Sequence, residues 1–496
     1  MNIRDARQEI IHTIKAYTSK NEDGTYRIPL LRQRPILLIG PPGIGKTAVM
    51  EQAAKACGVG FVSYTMTHHT RQSAIGLPFI EHHNFGGQNY AITEYTMSEI
   101  IASVYRCMEE SGCQEGLLFL DEINCVSETL APAMLQFLQN KMFGSHQLPG
   151  GWVLAAAGNP PEYNKSVREF DIATLDRLKY ITIEADYDAW RAYALEMNVH
   201  GAILAYLDTR PEQFYLLKQS YTSKSFVTAR GWEDLSCLLL EYEHLELPVT
   251  AELIAQYLRH DELAQDFAGF YYLYEQRRKA LPVAEMMAGD DTASAACQEW
   301  VSQAAFSEQL YLVHLMLSHL GGHLINWKKS CSDQNLFSSA LERLGRFQKQ
   351  EHFASVSDAI PAFLEKEQGI LQVRREHGLS TENELQQLQQ TLYLIQNLGY
   401  HMKTDETGAD SVSEELEQTV RERTTVLTSM FQQSIRLLGH AEPAAYTFYL
   451  SALQQNPLAA GFMNQHTPEL TKESSSRLDF SERENALKDF LTKLSE

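Results

Sequence analysis

The chain has 496 residues, 44% hydrophobic and 21% charged, a globular composition too long for one ordinary domain, so two to four compact units are expected. Its 42 basic residues stand against 63 acidic ones, and the formal charge of −21 repels a phosphate polymer, which argues against nucleic acid as the main substrate. Seven cysteines, odd in number and without a C-x-x-C pair, argue against a disulfide framework or zinc module and for reduced thiols in a cytoplasmic protein.

The opening Met1-Asn2-Ile3-Arg4-Asp5-Ala6-Arg7 lacks the apolar core of a signal peptide. Ile3, Ile10, Ile11 and Ile14 recur on one side of an amphipathic helix that Asn21-Glu22-Asp23-Gly24 ends. Short apolar strands at 35–40, 61–66, 116–121, 152–158 and 180–184 then alternate with helical stretches at about 46–57, 97–111, 127–140 and 171–178. Such alternation predicts a parallel sheet with helices on both faces, and ligands on such sheets bind beyond the carboxyl ends of the strands.

Beyond Asp186 no strand is expected. Short helices run to about 260, a linker is placed at 288–294, and the rest is helical in pattern. The most apolar run, 311–327, is interrupted by His314, His319 and His323 and reads as a buried helix, so no membrane span is expected. Thr381-x-x-Glu384 and Ser411-x-x-Glu414 have the form of capping boxes, with a polar loop at 401–410 between their helices. Leu385, Leu388, Leu392 and Ile395 follow a 3-4-3 spacing too short for a coiled coil, which predicts packing in a helical bundle. A polar stretch from Thr467 to Ser476 precedes a last amphipathic helix carrying Phe480, Leu487, Phe490, Leu491 and Leu494. The pairs His68-His69 and His82-His83 read as ordinary polar positions, because adjacent residues on a strand or helix face apart.

Three motifs carry chemistry. Gly40-Pro41-Pro42-Gly43-Ile44-Gly45-Lys46-Thr47 lies between an apolar strand and the helix that Ala48 continues. Strand, glycine loop and helix together make a phosphate cradle, in which backbone N–H groups turn onto phosphate oxygens at a helix N-terminus. From Gly40 to Ala48 the stretch is expected to bind ATP, with Lys46 reaching the β- and γ-phosphates and the Thr47 hydroxyl ligating Mg²⁺. Leu117-Leu118-Phe119-Leu120-Asp121-Glu122 delivers two acids at the same sheet edge: Asp121 to hold Mg²⁺, Glu122 to polarise the water that attacks the γ-phosphate. The strand ending in Gly158-Asn159-Pro160 brings the Asn159 amide there to hydrogen-bond that water or the γ-phosphate.

With the following Thr174-Leu175-Asp176-Arg177-Leu178, these motifs resemble an AAA+ ATPase and, within that superfamily, the MoxR family, over roughly residues 30–280. The resemblance implies an α/β P-loop NTPase core with a five-stranded parallel sheet of order 5-1-4-3-2, an α-helical lid and, in this chain, an all-α C-terminal region. On that basis residues 1–186 are the nucleotide-binding core, 187–280 the lid, and 290–496 a helical region assigned to partner binding. The resemblance further implies a homo-oligomer, a hexameric ring binding ATP between neighbours, that remodels or activates a partner protein in chaperone-like fashion. Partners of the family often carry a von Willebrand factor A domain. Arg177 matches the arginine finger directed at a neighbour's γ-phosphate, and Arg230, in Ser225-Phe226-Val227-Thr228-Ala229-Arg230, matches the sensor-2 position. Leu77 to Glu94 matches a hairpin inserted in helix 2, and 140–152 a hairpin before the Asn159 strand. At the tip of the second, exposed Met142 or Phe143 either touches a substrate or packs against a neighbour. Thr67-His68-His69-Thr70-Arg71-Gln72-Ser73 departs from the acidic stretch common in relatives. The expected catalytic set is therefore Glu122, Asn159, Arg177 and Arg230 in an ATP-hydrolysing remodeller. A slow ATP-dependent binding switch is the alternative, with a nucleic-acid translocase behind it.

Overall fold

Ile36-Leu37-Leu38-Ile39 is apolar at every position because the strand it forms is buried on both faces, as a central parallel strand must be. The computed structural model describes residues 1–68, 71–163, 167, 170–219, 224–376, 382–402 and 408–472. They form two units: Met1–Ala189 with Thr228–Arg230, and Trp190–Val227 with Gly231–Glu496.

In the first unit the strands are β1 (Ile36–Ile39), β2 (Gly60–Thr65), β3 (Pro78–Phe85), β4 (Gln88–Tyr95), β5 (Gly116–Asp121), β6 (Met142–Phe143), β7 (His146–Gln147), β8 (Trp152–Gly158) and β9 (Lys179–Thr182). β2-β5-β8-β1-β9 make the parallel sheet. Counting those five alone in chain order, the sheet reads 2-3-4-1-5, which is 5-1-4-3-2 from the other edge. The register pairs Ile39 with Gly158 and Leu120 with Ala156, so β1, β5 and β8 end together at one edge. Below that edge Leu118, Leu120, Phe137, Trp152 and Leu154 are sealed from water. The N-terminal helix Ile3–Thr18 is capped by the Asn2 side chain and buries Ala6, Ile10, Ile11 and Ile14.

β3 and β4 pair antiparallel between the helices Arg71–Ile75 and Glu99–Ser111, where the inserted hairpin was expected. β6 and β7 form the second small hairpin. Here one expectation fails: Phe143 is not an exposed tip residue. It is 3% exposed and its ring stacks on Phe137 at 4.0 Å, whereas Met142 is the exposed neighbour. The alternation of a two-residue strand turns one side chain out and the next in, and burying a phenylalanine stabilises by about 2–3 kcal/mol. Beside it the buried Lys141 donates to the carbonyls of Leu30 and Gln33, and burial pulls its ammonium down to about 8.

The second unit is mostly helical but not strand-free. β10 (Leu216–Gln219) and β11 (Lys224–Val227) pair antiparallel, correcting the expectation that no strand follows Asp186; four residues each are too few for a readable period. The expected linker at 288–294 is instead a turn between two helices. Gly289, at φ 89°, ends Val283–Ala288, and the Asp290 side chain caps Asp291–Gln303 by accepting from the N–H groups of Thr292 and Ala293. Ser411 does not open a helix: Gly408–Leu438 is already under way there. Phe306–Gln350, 45 residues long, is the spine of the unit and takes in the run at 311–327. Phe337, Leu344, Phe363, Ile395 and Leu398 share a core, so the 3-4-3 helix does pack in a bundle. His69, Thr381, residues 403–407 of the loop expected at 401–410 and the last amphipathic helix lie outside the described residues.

Candidate functional site

The loop after β1 turns because Gly43 and Gly45 hold φ of 74° and 88°, values that side-chain-bearing residues rarely adopt. The helix Lys46–Cys57 starts at Gly45 with no side-chain cap, so the N–H groups of its first turn are donors available to an anion. Lys46, 9% exposed, donates from Nζ to Gly40 O at 2.9 Å, Pro41 O at 2.8 Å and Asn159 Oδ1 at 2.8 Å. Burial is the main reason its ammonium is pulled down to about 8, with Arg230 pushing the same way and Asp121 and Glu122 opposing. Lys46, Arg230 and the two acids therefore share one electrostatic neighbourhood.

Thr47 donates its hydroxyl to Asp121 Oδ2 at 2.7 Å, joining the first turn of the helix to the end of β5. The two residues read from sequence as metal ligands are thus neighbours, and both offer oxygen, the donor a hard cation requires. Glu122 has φ 55°, an unusual left-handed value outside glycine, and its N–H donates to Asp121 Oδ1 at 2.9 Å. Such a backbone costs on the order of 1–3 kcal/mol and is retained where the surroundings enforce it.

Asn159 follows β8, whose last residue, Gly158, lies against Asn124. A Cβ at Gly158 would stand 2.4 Å from Asn124 Oδ1, so a larger residue there would push the Asn124 amide out of place. Asn124, 5% exposed, donates from Nδ2 to the Asn159 carbonyl at 2.8 Å, which fixes the backbone that presents the amide. Sequence reasoning quoted no role for Asn124. Two positions past Glu122, it shows its partner only once β5 and β8 lie side by side.

Arg230 belongs to the first unit, as do Thr228 and Ala229. Its N–H donates to Gly43 O at 3.1 Å, and the Thr228 side chain stands where a Cβ on Gly43 would be, 3.0 Å away. The sensor-2 candidate is thus against the phosphate loop. Arg177 is not. It is exposed after the short helix Ile172–Leu175, its guanidinium donates to Gln139, and among the described residues it makes no hydrogen bond with Lys46, Asp121 or Glu122.

A glycine loop after β1, paired acids ending β5, an amide after β8 and this strand order define a P-loop NTPase core of the AAA+ type, here with a helical remainder. Residues 36–175 match the family model described as ATPase family associated with various cellular activities (AAA), less than a third of the chain. Comparison with curated proteins gave no match. Among the described residues no helix is long and apolar enough to cross a membrane.

Proposed function

We propose that this protein binds ATP with Mg²⁺ at the carboxyl edge of the sheet and hydrolyses it to drive the remodelling or activation of a partner protein. The observation that carries this reading is the pairing of Lys46 with Asn159 and of Thr47 with Asp121, four residues from three segments meeting at one edge. Lys46 has all three N–H donors on neutral acceptors. Phosphate oxygens are charged, and charge-assisted hydrogen bonds are about twice as strong as neutral ones. An arriving phosphate thus draws Lys46 away and releases the Asn159 amide, which then orients the attacking water. Glu122 takes the proton of that water. Thr47 and Asp121 would hold Mg²⁺, which when bound neutralises charge on the β- and γ-phosphates. Arg177, being exposed, is free to complete a neighbour's site in a ring, and Arg230 would relate lid posture to the phosphates.

Finer features of the reading rest on the motif resemblance: a MoxR-type ATPase, a hexameric ring, a partner with a von Willebrand factor A domain, a lid at 187–280 and a partner-binding region at 290–496. The test is a pair of variants. Lys46→Ala is expected to lose ATP binding, and Glu122→Gln to keep ATP while slowing hydrolysis about 10²–10⁴-fold. Normal turnover by Glu122→Gln sinks the assignment of the base. If a partner caught by that variant leaves wild-type turnover unchanged, the binding-switch reading replaces the remodeller.

A further inference from the structure

The β3–β4 hairpin gathers three metal-ligating side chains that the nucleotide chemistry does not use. Glu81 and His83 lie two positions apart on β3 and so share a face, and Glu94, opposite Phe79 on β4, is on that same face. His82, opposite Ala91, turns to the other side, so the two adjacent histidines do face apart. Facing apart excludes a two-histidine site, but it leaves His83 with two carboxylates instead.

His83 Nε2 lies 3.4 Å from Glu81 Oε2 and 3.8 Å from Glu94 Oε1, and one ligand atom from each of the three residues falls within 4.8 Å of the others. That nitrogen is covered from solvent although the residue is only half-buried, and it has no hydrogen-bond partner. A covered ring nitrogen that makes no hydrogen bond is costly unless something fills its coordination. The ring is steadied from the side by Phe85, stacked at 6.1 Å and 18°.

We propose that Glu81, His83 and Glu94 bind a first-row divalent cation such as Zn²⁺, which clips β3 to β4. Ligands about 2.0–2.2 Å from a tetrahedral ion stand about 3.3–3.6 Å from one another, so the two distances to His83 are already near bonding separation. Drawing the carboxylates together takes about 1 Å of movement in flexible glutamate side chains. The imidazole disfavours Mg²⁺ and Ca²⁺, which take all-oxygen sets, and one nitrogen with two carboxylates suits Zn²⁺. Three protein ligands leave a fourth position for water. The benefit to the fold is specific: an isolated two-stranded hairpin is marginal in water, and a cross-strand metal bond holds its register.

Co²⁺, which reports coordination by its visible absorption, is the probe. Metal-stripped, nucleotide-free full-length protein is titrated with it and then challenged with Zn²⁺. About one Co²⁺ per chain with the intense absorption of a low-coordinate site is expected, displaced by Zn²⁺, lost in His83→Ala and in the Glu81→Gln/Glu94→Gln double variant, and kept in His82→Ala. Zn²⁺ is expected to slow proteolytic cleavage within β3–β4 in the wild type and not in His83→Ala. Absence of the absorption in the wild type, or the same uptake in His83→Ala, overturns the site and leaves a histidine–glutamate ion pair. Neither readout involves nucleotide, so either result is separable from the ATPase reading.

Discussion

The carboxyl edge of the sheet in the first unit and the Arg191 network in the second both take charge out of water, yet they use their hydrogen bonds differently. Arg191 donates from Nε and Nη2 to the two oxygens of Asp208, at 2.6 and 3.2 Å, and from Nη1 to Gln455 at 2.6 Å. Its guanidinium lies over Phe448, 4.9 Å from the ring centre. His314, pushed down to about 4 by burial, completes the group 3.4 Å from Asp208. Opposite charges answer each other within the unit, and an incoming ligand offers nothing stronger. At the sheet edge Lys46 is held by two carbonyls and an amide, and Thr47 by Asp121, partners that a phosphate or a cation improves on. Buried charge by itself therefore does not mark a site. Groups converging from separate segments, with partners open to exchange, do.

The comparison breaks most visibly at Arg177. Arg177→Ala is expected to lower turnover about 10³–10⁵-fold with ATP still bound and the melting temperature unchanged, since the side chain is exposed. Mixing it with Lys46→Ala is expected to restore part of the activity; no recovery at any ratio removes the cross-subunit role. Arg191→Ala is expected to do the reverse: ATP affinity is retained and about 3–5 kcal/mol of stability is lost in denaturant unfolding, because the buried Asp208 loses its guanidinium partner. Unchanged stability there would erase the contrast between the two regions.

The smallest effect is the sharpest test of an exchangeable partner. In the nucleotide-free fold Lys46 loses its proton near pH 8, whereas phosphate contact keeps it charged. ATP affinity is thus expected to fall by up to about tenfold per pH unit above 8, with proton uptake approaching one per ATP, read by calorimetry in buffers of differing ionisation enthalpy. Stability of the free protein runs the other way. The unfolded lysine binds its proton up to its ordinary value of 10.5, so the unfolded state holds more protons between about 8 and 10.5 and stability rises across that window. Flat affinity from pH 7 to 9.5 would show that Lys46 is charged before the nucleotide arrives.

Much of the site was legible because its signals are local. Gly43 and Gly45 mark backbone that only glycine adopts easily, and an apolar run ending in Asp121-Glu122 announces a buried strand stopping at an edge. Sheet order came through the family resemblance, and strand spacing alone did not give it. What stayed hidden depends on partners far away in sequence. Phe143 reads as a hairpin tip until Phe137 is seen beneath it, and Asn124 reads as a loop amide until Gly158 and Asn159 arrive beside it.

From the chain alone came the phosphate loop, the two acids, the amide after β8 and the helical character of the second half, since each is written within a few consecutive residues. Tertiary structure decided which of those groups touch: Lys46 with Asn159, Thr47 with Asp121, and the N–H of Arg230 with Gly43. It decided too that His83 keeps company with Glu81 and Glu94 and not with its neighbour His82. The physical reason is the same in each case. Local sequence sets backbone conformation and the side a residue faces, while the partner it meets is chosen by strand order, register and packing across long separations in the chain.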